Sequence, residues 1–155
     1  MNNNKLMPNQ FWPQMHERIE NWLVARKKLL VSYCQLSEMG EFSNSSPQQG
    51  NQLQAFCEQL IDYISEGHFE IFEQLLKEGY LFSDAKGLAI GEKLLATIHS
   101  HTEAVIDFND KYLATDDLTT LATDLSVLGE ILAQRLEVED KMVDILHNAH
   151  YKEAL

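Results

Sequence analysis

Proline is scarce in this chain. There are three, Pro8, Pro13 and Pro47, and none follows. Nothing beyond Pro47 therefore forbids long helices. Cysteine is scarcer still, with Cys34 and Cys57 alone. Both fall in apolar helical stretches, where small buried thiols are expected ahead of a disulfide or a metal pair. No run approaches the ~18 apolar residues a membrane helix needs. The polar opening has no apolar signal core. The expected compartment is the cytoplasm, with no membrane partner.

Positive charge is also in short supply. Lys and Arg total 12 against 24 Asp and Glu, a formal charge of −12. That balance repels nucleic-acid phosphate and suits a basic protein partner, or it serves solubility alone. The imbalance grows toward the end. Between Glu103 and Asp144 eleven carboxylates face only Lys111, Arg135 and Lys141.

What is present is helical periodicity. Turn-rich breaks fall at 40–51 (GEFSNSSPQQGN), 79–87 (GYLFSDAKG) and 114–117. They leave four helical segments, about 13–39, 52–78, 88–113 and 118–150. Ile19, Trp22, Leu23, Leu29, Leu30, Tyr33 and Leu36 mark one face of the first. Leu53, Phe56, Leu60, Ile64, Ile71 and Leu75 mark the second. Leu121, Leu125, Leu128, Leu132, Leu136, Val143 and Leu146 mark the fourth. These are three- and four-residue steps, the period of a helix face. Pro13 suits a first helical turn, and Asp116 or Asp117 suits the N-cap of the last helix. The hydrophobic fraction, 45%, is enough for a core. The expected fold is all-α, an antiparallel up-down four-helix bundle forming one domain over 1–155, with a flexible segment at 1–12.

The elements of catalysis are missing. Paired Glu-x-x-His motifs, a Gly-x-Ser-x-Gly elbow and a phosphate-binding Gly-x-x-x-x-Gly-Lys-Ser/Thr loop are all absent. His99 with Glu103, and His147 with His150, share helix faces. As a set they are one reading, a bundle metal site; solvent-facing histidines are the plainer one. No enzyme, cofactor or metal is expected.

Two polar residues interrupt the apolar stripes. Arg26 lies between Ile19, Trp22 and Tyr33; Glu139 lies between Leu132, Val143 and Leu125. A half-buried charge is costly without a partner. Arg26 is expected to pair across the bundle with Glu139 or its neighbour, or both reach toward a bundle end. The second helix shows the reverse. Asp62, Ser65, Glu66, Phe69 and Glu73 lie nearly opposite its core stripe. An outward aromatic among carboxylates suits docking of a basic, partly apolar helix, or cover by a loop.

Three strings carry a resemblance: WLVARKKLLVSY at 22–33, FCEQLIDYISEGHFEIFEQLL at 56–76 and LGEILAQRLEVEDKMV at 128–143. Together, in this order, they resemble the regulator of sigma D (Rsd/AlgQ) family. The match covers three of the four helices; the regions 40–51 and 80–117 match poorly. The resemblance implies a four-helix bundle acting as an anti-sigma factor in stationary phase. Its implied partner is region 4 of the primary RNA polymerase sigma factor, a basic helix-turn-helix domain. Occupying region 4 blocks its contacts with the −35 element and with polymerase. The implied surface uses the first two helices. Ile19, Trp22, Leu23 and Arg26 are its candidates on the first, and Asp62, Ser65, Glu66 and Phe69 on the second. Arg26, His68, Arg135 and Glu139 are the candidates for a buried polar network. The alternative is an adaptor for another cytoplasmic regulator, using the same face. A monomer, or a weakly self-associating chain, is expected.

Overall fold

The computed structural model describes residues 6–44 and 46–155. Its elements are α1 (Pro8–Ser37), α2 (Pro47–Glu66), a π-helical segment (Gly67–Phe72), α3 (Glu73–Leu81), α4 (Ala85–Ala114), α5 (Leu121–Leu146), a 3-10 turn (Asn148–His150) and α6 (Tyr151–Ala154). No strand occurs among the described residues. The chain runs from α2 through the π segment into α3 without leaving helix, so four long rods make a helical bundle. One apolar cluster joins them, from Phe11 to Leu146. Among the described residues no helix is long and apolar enough to cross a membrane.

Several ends differ from expectation, each for a local reason. α1 starts at Pro8, not Pro13. Pro8 needs no N–H partner in the first turn, and the Gln10 side chain accepts from the Met7 N–H at 3.0 Å. Pro13 sits inside the helix. Of the segment expected to be flexible, residues 1–5 lie outside the described part, while Phe11 and Trp12 are helical and buried. Gly40, with φ of +71°, closes α1 in the left-handed region that glycine tolerates. The linker is shorter than expected. Ser46 accepts from the Gln49 N–H at 3.4 Å and Pro47 follows at the first helical position, so α2 absorbs Gly50 and Asn51. Asp84 caps α4 by accepting from the Gly87 N–H at 2.8 Å.

The last long helix begins at Leu121, and neither expected aspartate caps it. Asp117 instead accepts from the Thr119 N–H at 3.0 Å, folding the connection before the helix starts. Asn44, from the α1–α2 linker, accepts from the Leu118 N–H at 2.7 Å. At the other end α3, α4 and α5 meet closely around Leu146. A Cβ on Gly91 would stand 2.6 Å from its Cδ1, and one on Gly79 would stand 2.9 Å from its Cδ2.

Three side chains lie elsewhere than expected. Cys34 is exposed; only Cys57 is a buried thiol, and both are free. His147 and His150 are buried, not solvent-facing. The chain bends after Leu146, and the turn folds His147 back onto His16 of α1 and Glu78 of α3, and His150 onto Asp84 at the start of α4.

Candidate functional site

The bundle centre holds a charged network. Glu139 on α5 is fully buried. It accepts from the Tyr63 hydroxyl at 2.6 Å and from Arg135 Nε, one turn back, at 3.1 Å. Arg135 also donates to the Ile98 carbonyl at 3.1 Å and to Thr102 Oγ1 at 2.8 Å, which ties α4 to α5. Burial pushes Glu139 above the ordinary carboxylate range, against the pull of Arg135 and of the Tyr63 hydroxyl. Burial, then the Glu139 charge, drives the Tyr63 pKa far up, so the phenol stays a donor. Arg26 comes to this network from α1. It donates to Asp140 Oδ1 at 2.8 Å and lies 3.6 Å from Glu139 Oε1. Its guanidinium carbon sits 5.4 Å from the centre of the Trp22 ring. Tyr63 and Thr102 are members that the sequence reading did not name. His68 is not a member. It is partly exposed, 3.4 Å from Glu73 and beside His99 and Phe69, because the π segment turns it outward.

The α1 candidates divide by burial. Trp22 is 0% and Ile19 3% exposed, so neither offers a surface to a partner. Trp22 stacks on Tyr63 at 5.5 Å and meets Phe72 edge-on at 5.7 Å. Gly67 makes room for this, since a Cβ there would crowd the Phe72 ring at 3.1 Å and touch Trp22 Nε1 at 3.4 Å. Leu23 and Arg26 are partly accessible.

The π segment shapes the outer face. The Glu73 N–H reaches the His68 carbonyl, five residues back, one residue wider than an α turn. Ile71 and Phe72 both enter the core, while Phe69 is 59% exposed. Glu70, next to Phe69, pairs with Arg18 of α1 at 3.3 Å. Asp62 and Ser65 are exposed on α2, and Glu66 is partly so. Asp62, Ser65 or Glu66, and Phe69 follow at helical spacing with exposed Glu73 beyond them, and exposed Glu58, which the sequence reading did not include, extends this row one turn earlier. Asp62 does not meet Arg26. It lines a cleft of about 400 Å³ with residues of α4, whereas Arg26 is held by α5.

The proposed metal ligands are not assembled. Among the described residues no group of three or more His, Cys, Asp and Glu side chains is placed to hold a metal. His99 and Glu103 are exposed on α4. His150 Nε2 lies 2.9 Å from Asp84, and its ring stacks on Phe82. His147 Nδ1 lies 2.9 Å from both oxygens of buried Glu78, and its Nε2 lies 3.0 Å from His16 Nδ1. Burial pushes Glu78 up to about 8 and pulls His147 down to about 4, favouring an uncharged pair. Trp12 stacks on both imidazoles and donates its Nε1–H to the His147 carbonyl at 2.8 Å. These groups lock the two ends of the chain together.

Comparison with known proteins gives one consistent result. Residues 1–147 match the family described as regulator of RNA polymerase sigma(70) subunit, Rsd/AlgQ. A regulator of sigma D from Yersinia pseudotuberculosis serotype O:1b (strain IP 31758) is 34% identical over 133 residues, covering 83% of this chain and 78% of that protein. One from Pectobacterium carotovorum subsp. carotovorum (strain PC1) is 34% identical over 135 residues, covering 84% of this chain and 88% of that protein.

Proposed function

Because the chain belongs to the Rsd/AlgQ family of regulators of the RNA polymerase sigma(70) subunit, we propose that it is an anti-sigma factor that binds region 4 of the primary sigma factor. In this reading the bound domain loses its contacts with the −35 element and with polymerase, and housekeeping transcription falls. The observation that carries it is Phe69, an aromatic 59% exposed beside a row of carboxylates on α2. A buried aromatic anchor ringed by complementary charge is the usual energetic centre of an interface. Region 4 is basic, and this chain carries a formal charge of −12, which favours fast encounter at low salt. Asp62, exposed on α2, pairs with a basic side chain of region 4. Ser65, Glu66 and Phe69 continue the contact, and Leu23 and Arg26 border it from α1. Ile19 and Trp22 act from beneath, by holding α1 against α2.

Titration of the purified protein with region 4 at low and high salt tests this. Binding is expected at low salt and weaker binding at high salt. Absence of binding at low salt sinks the reading. Asp62→Ala is expected to weaken binding at least tenfold with an unchanged melting temperature. A lowered melting temperature with unchanged affinity makes Asp62 a structural residue.

A further inference from the structure

α2 and α4 leave an open cleft between them. One part, about 400 Å³, is walled by Cys57, Glu58, Ile61, Asp62, Asn109 and Leu113. A second part, about 510 Å³, shares Cys57 and Leu113 and runs on to the α1–α2 linker and to Asp116. The floor of the first part is apolar, whereas the second part is lined largely by polar groups; Leu113, at the edge of both, is 64% exposed. The rim carries Glu58, Asp62 and Asp116, and no Lys or Arg is among the described lining residues. Asn109 is 5% exposed, and its Oδ1 has no hydrogen-bond partner among the described residues. An unpaired buried amide oxygen is costly and needs a reason. Asn109 is itself one of the residues that line the first part of the cleft.

We infer that this cleft is a second half of the sigma-binding surface, and that it takes a basic amphipathic helix of the sigma factor. The inference rests on the function proposed above and extends its site across α2 onto α4. Charge complementarity selects the occupant: an acidic rim without a cation rejects another acidic helix of this chain and accepts Lys or Arg. Continuity selects the protein, because Asp62 belongs both to the outward row leading to Phe69 and to the cleft wall. An Arg or Lys side chain lays its aliphatic stem between Ile61 and Leu113. Its head pairs with Glu58 or Asp62 and donates to Asn109 Oδ1. Apolar residues of the same helix cover Leu113. Cys57 on the floor is a packing residue: burial, then the Glu58 charge, pushes its thiol up to about 11. It stays protonated and inert.

The test measures the affinity of the full chain for the purified full-length primary sigma factor. The variants are Asp62→Ala, Glu58→Lys, Leu113→Lys, Asn109→Leu and, exposed on α5 and not among the cleft residues, Val127→Lys. Glu58→Lys and Leu113→Lys are expected to weaken binding at least tenfold, and Val127→Lys less than twofold. Asn109→Leu is expected to weaken binding three- to tenfold while raising the melting temperature, since it removes an unpaired amide. A structural role alone cannot produce that opposition. If Leu113→Lys disturbs folding, Glu58→Lys carries the test, because Glu58 is exposed at the cleft rim. Sigma binding that Asp62→Ala weakens but all three cleft variants leave intact overturns the inference and spares the proposed function. No sigma binding by the unaltered chain overturns both. An unaltered chain that elutes as a dimer, with Leu113→Lys a monomer of unchanged sigma affinity, makes the occupant a second copy and overturns the inference.

Discussion

Tyr63 on α2 donates its hydroxyl to Glu139 on α5 at 2.6 Å, at a point where Glu139 has no solvent contact. The same carboxylate holds Arg135, and Arg135 holds the α4 backbone. Three helices are thus registered by one buried charge. A buried charge of this kind contributes little net stability when intact but a large loss when half of it is removed.

That asymmetry ranks three substitutions. Arg135→Met leaves Glu139 without its main cation and is expected to cost about 3–5 kcal/mol. Tyr63→Phe removes one hydrogen bond to a charged group and is expected to cost about 1.5–3 kcal/mol. Arg26→Ala breaks a pair with half-exposed Asp140 and is expected to cost about 1 kcal/mol or less. Urea unfolding of the three variants measures the order. Arg26→Ala as the most damaging of the three contradicts this account of the network.

Phe69 and Phe72 lie three residues apart, yet the π segment gives them opposite roles. Phe69→Ala is expected to change stability by no more than about 0.5 kcal/mol and to weaken sigma binding at least tenfold. Phe72→Ala empties a site against Trp22 and is expected to cost about 3–5 kcal/mol. Thermal unfolding beside a sigma titration separates the two. A stability loss for Phe69→Ala as large as for Phe72→Ala rules out Phe69 as a surface anchor.

The legible parts of this molecule are those that depend on spacing. Leu121, Leu125, Leu128 and Leu132 declare their helix by period alone, and all four are buried. Arg26 and Glu139 stood out because they break that period, and the sequence carried enough to direct Arg26 toward α5. It did not carry which carboxylate takes the closer contact, since Glu139 and Asp140 differ by one 100° step. The π segment was hidden because its residues, Gly67 to Phe72, have no composition that separates π from α. It displaced His68 from the expected network. His147 looked solvent-facing because its partners, Glu78 and His16, lie 69 and 131 residues away. The cleft was hidden too, as it arises from two helices failing to close, and no single helix records that.

The two cysteines offer a direct check on this geometry. Cys34 is exposed and Cys57 is buried with its pKa pushed up to about 11. An aromatic disulfide reagent at neutral pH is expected to titrate one thiol quickly and the second only on unfolding. Cys34→Ser is expected to abolish the fast phase. Two fast thiols in the folded protein contradict the closed floor of the α2–α4 cleft.

The Glu78–His147 pair predicts the pH dependence of stability, and the sign follows from proton counts. Folded, Glu78 titrates at about 8 and His147 at about 4; their ordinary values are 4.5 and 6.5. Between pH 4.5 and 6.5 the folded pair holds one proton, on Glu78, and the unfolded pair holds one, on His147. The pair's contribution to stability is therefore flat there. Above pH 6.5 the unfolded pair has lost its proton while the folded pair keeps its own, so stability falls as pH rises toward 8. One proton corresponds to about 1.4 kcal/mol per pH unit, giving a loss of about 2 kcal/mol over that window. Glu78→Gln keeps a donor facing His147 Nδ1 but cannot ionise. It is expected to abolish the decline between pH 6.5 and 8 and to be the more stable protein at pH 8. Below pH 4.5 the unfolded pair takes up its second proton first, so the unaltered chain should lose stability again on the acid side. Melting curves of both proteins at half-unit pH steps decide the matter. Parallel curves across the whole range would show that Glu78 titrates alike in the folded and unfolded chain, and that the buried pair is not held uncharged.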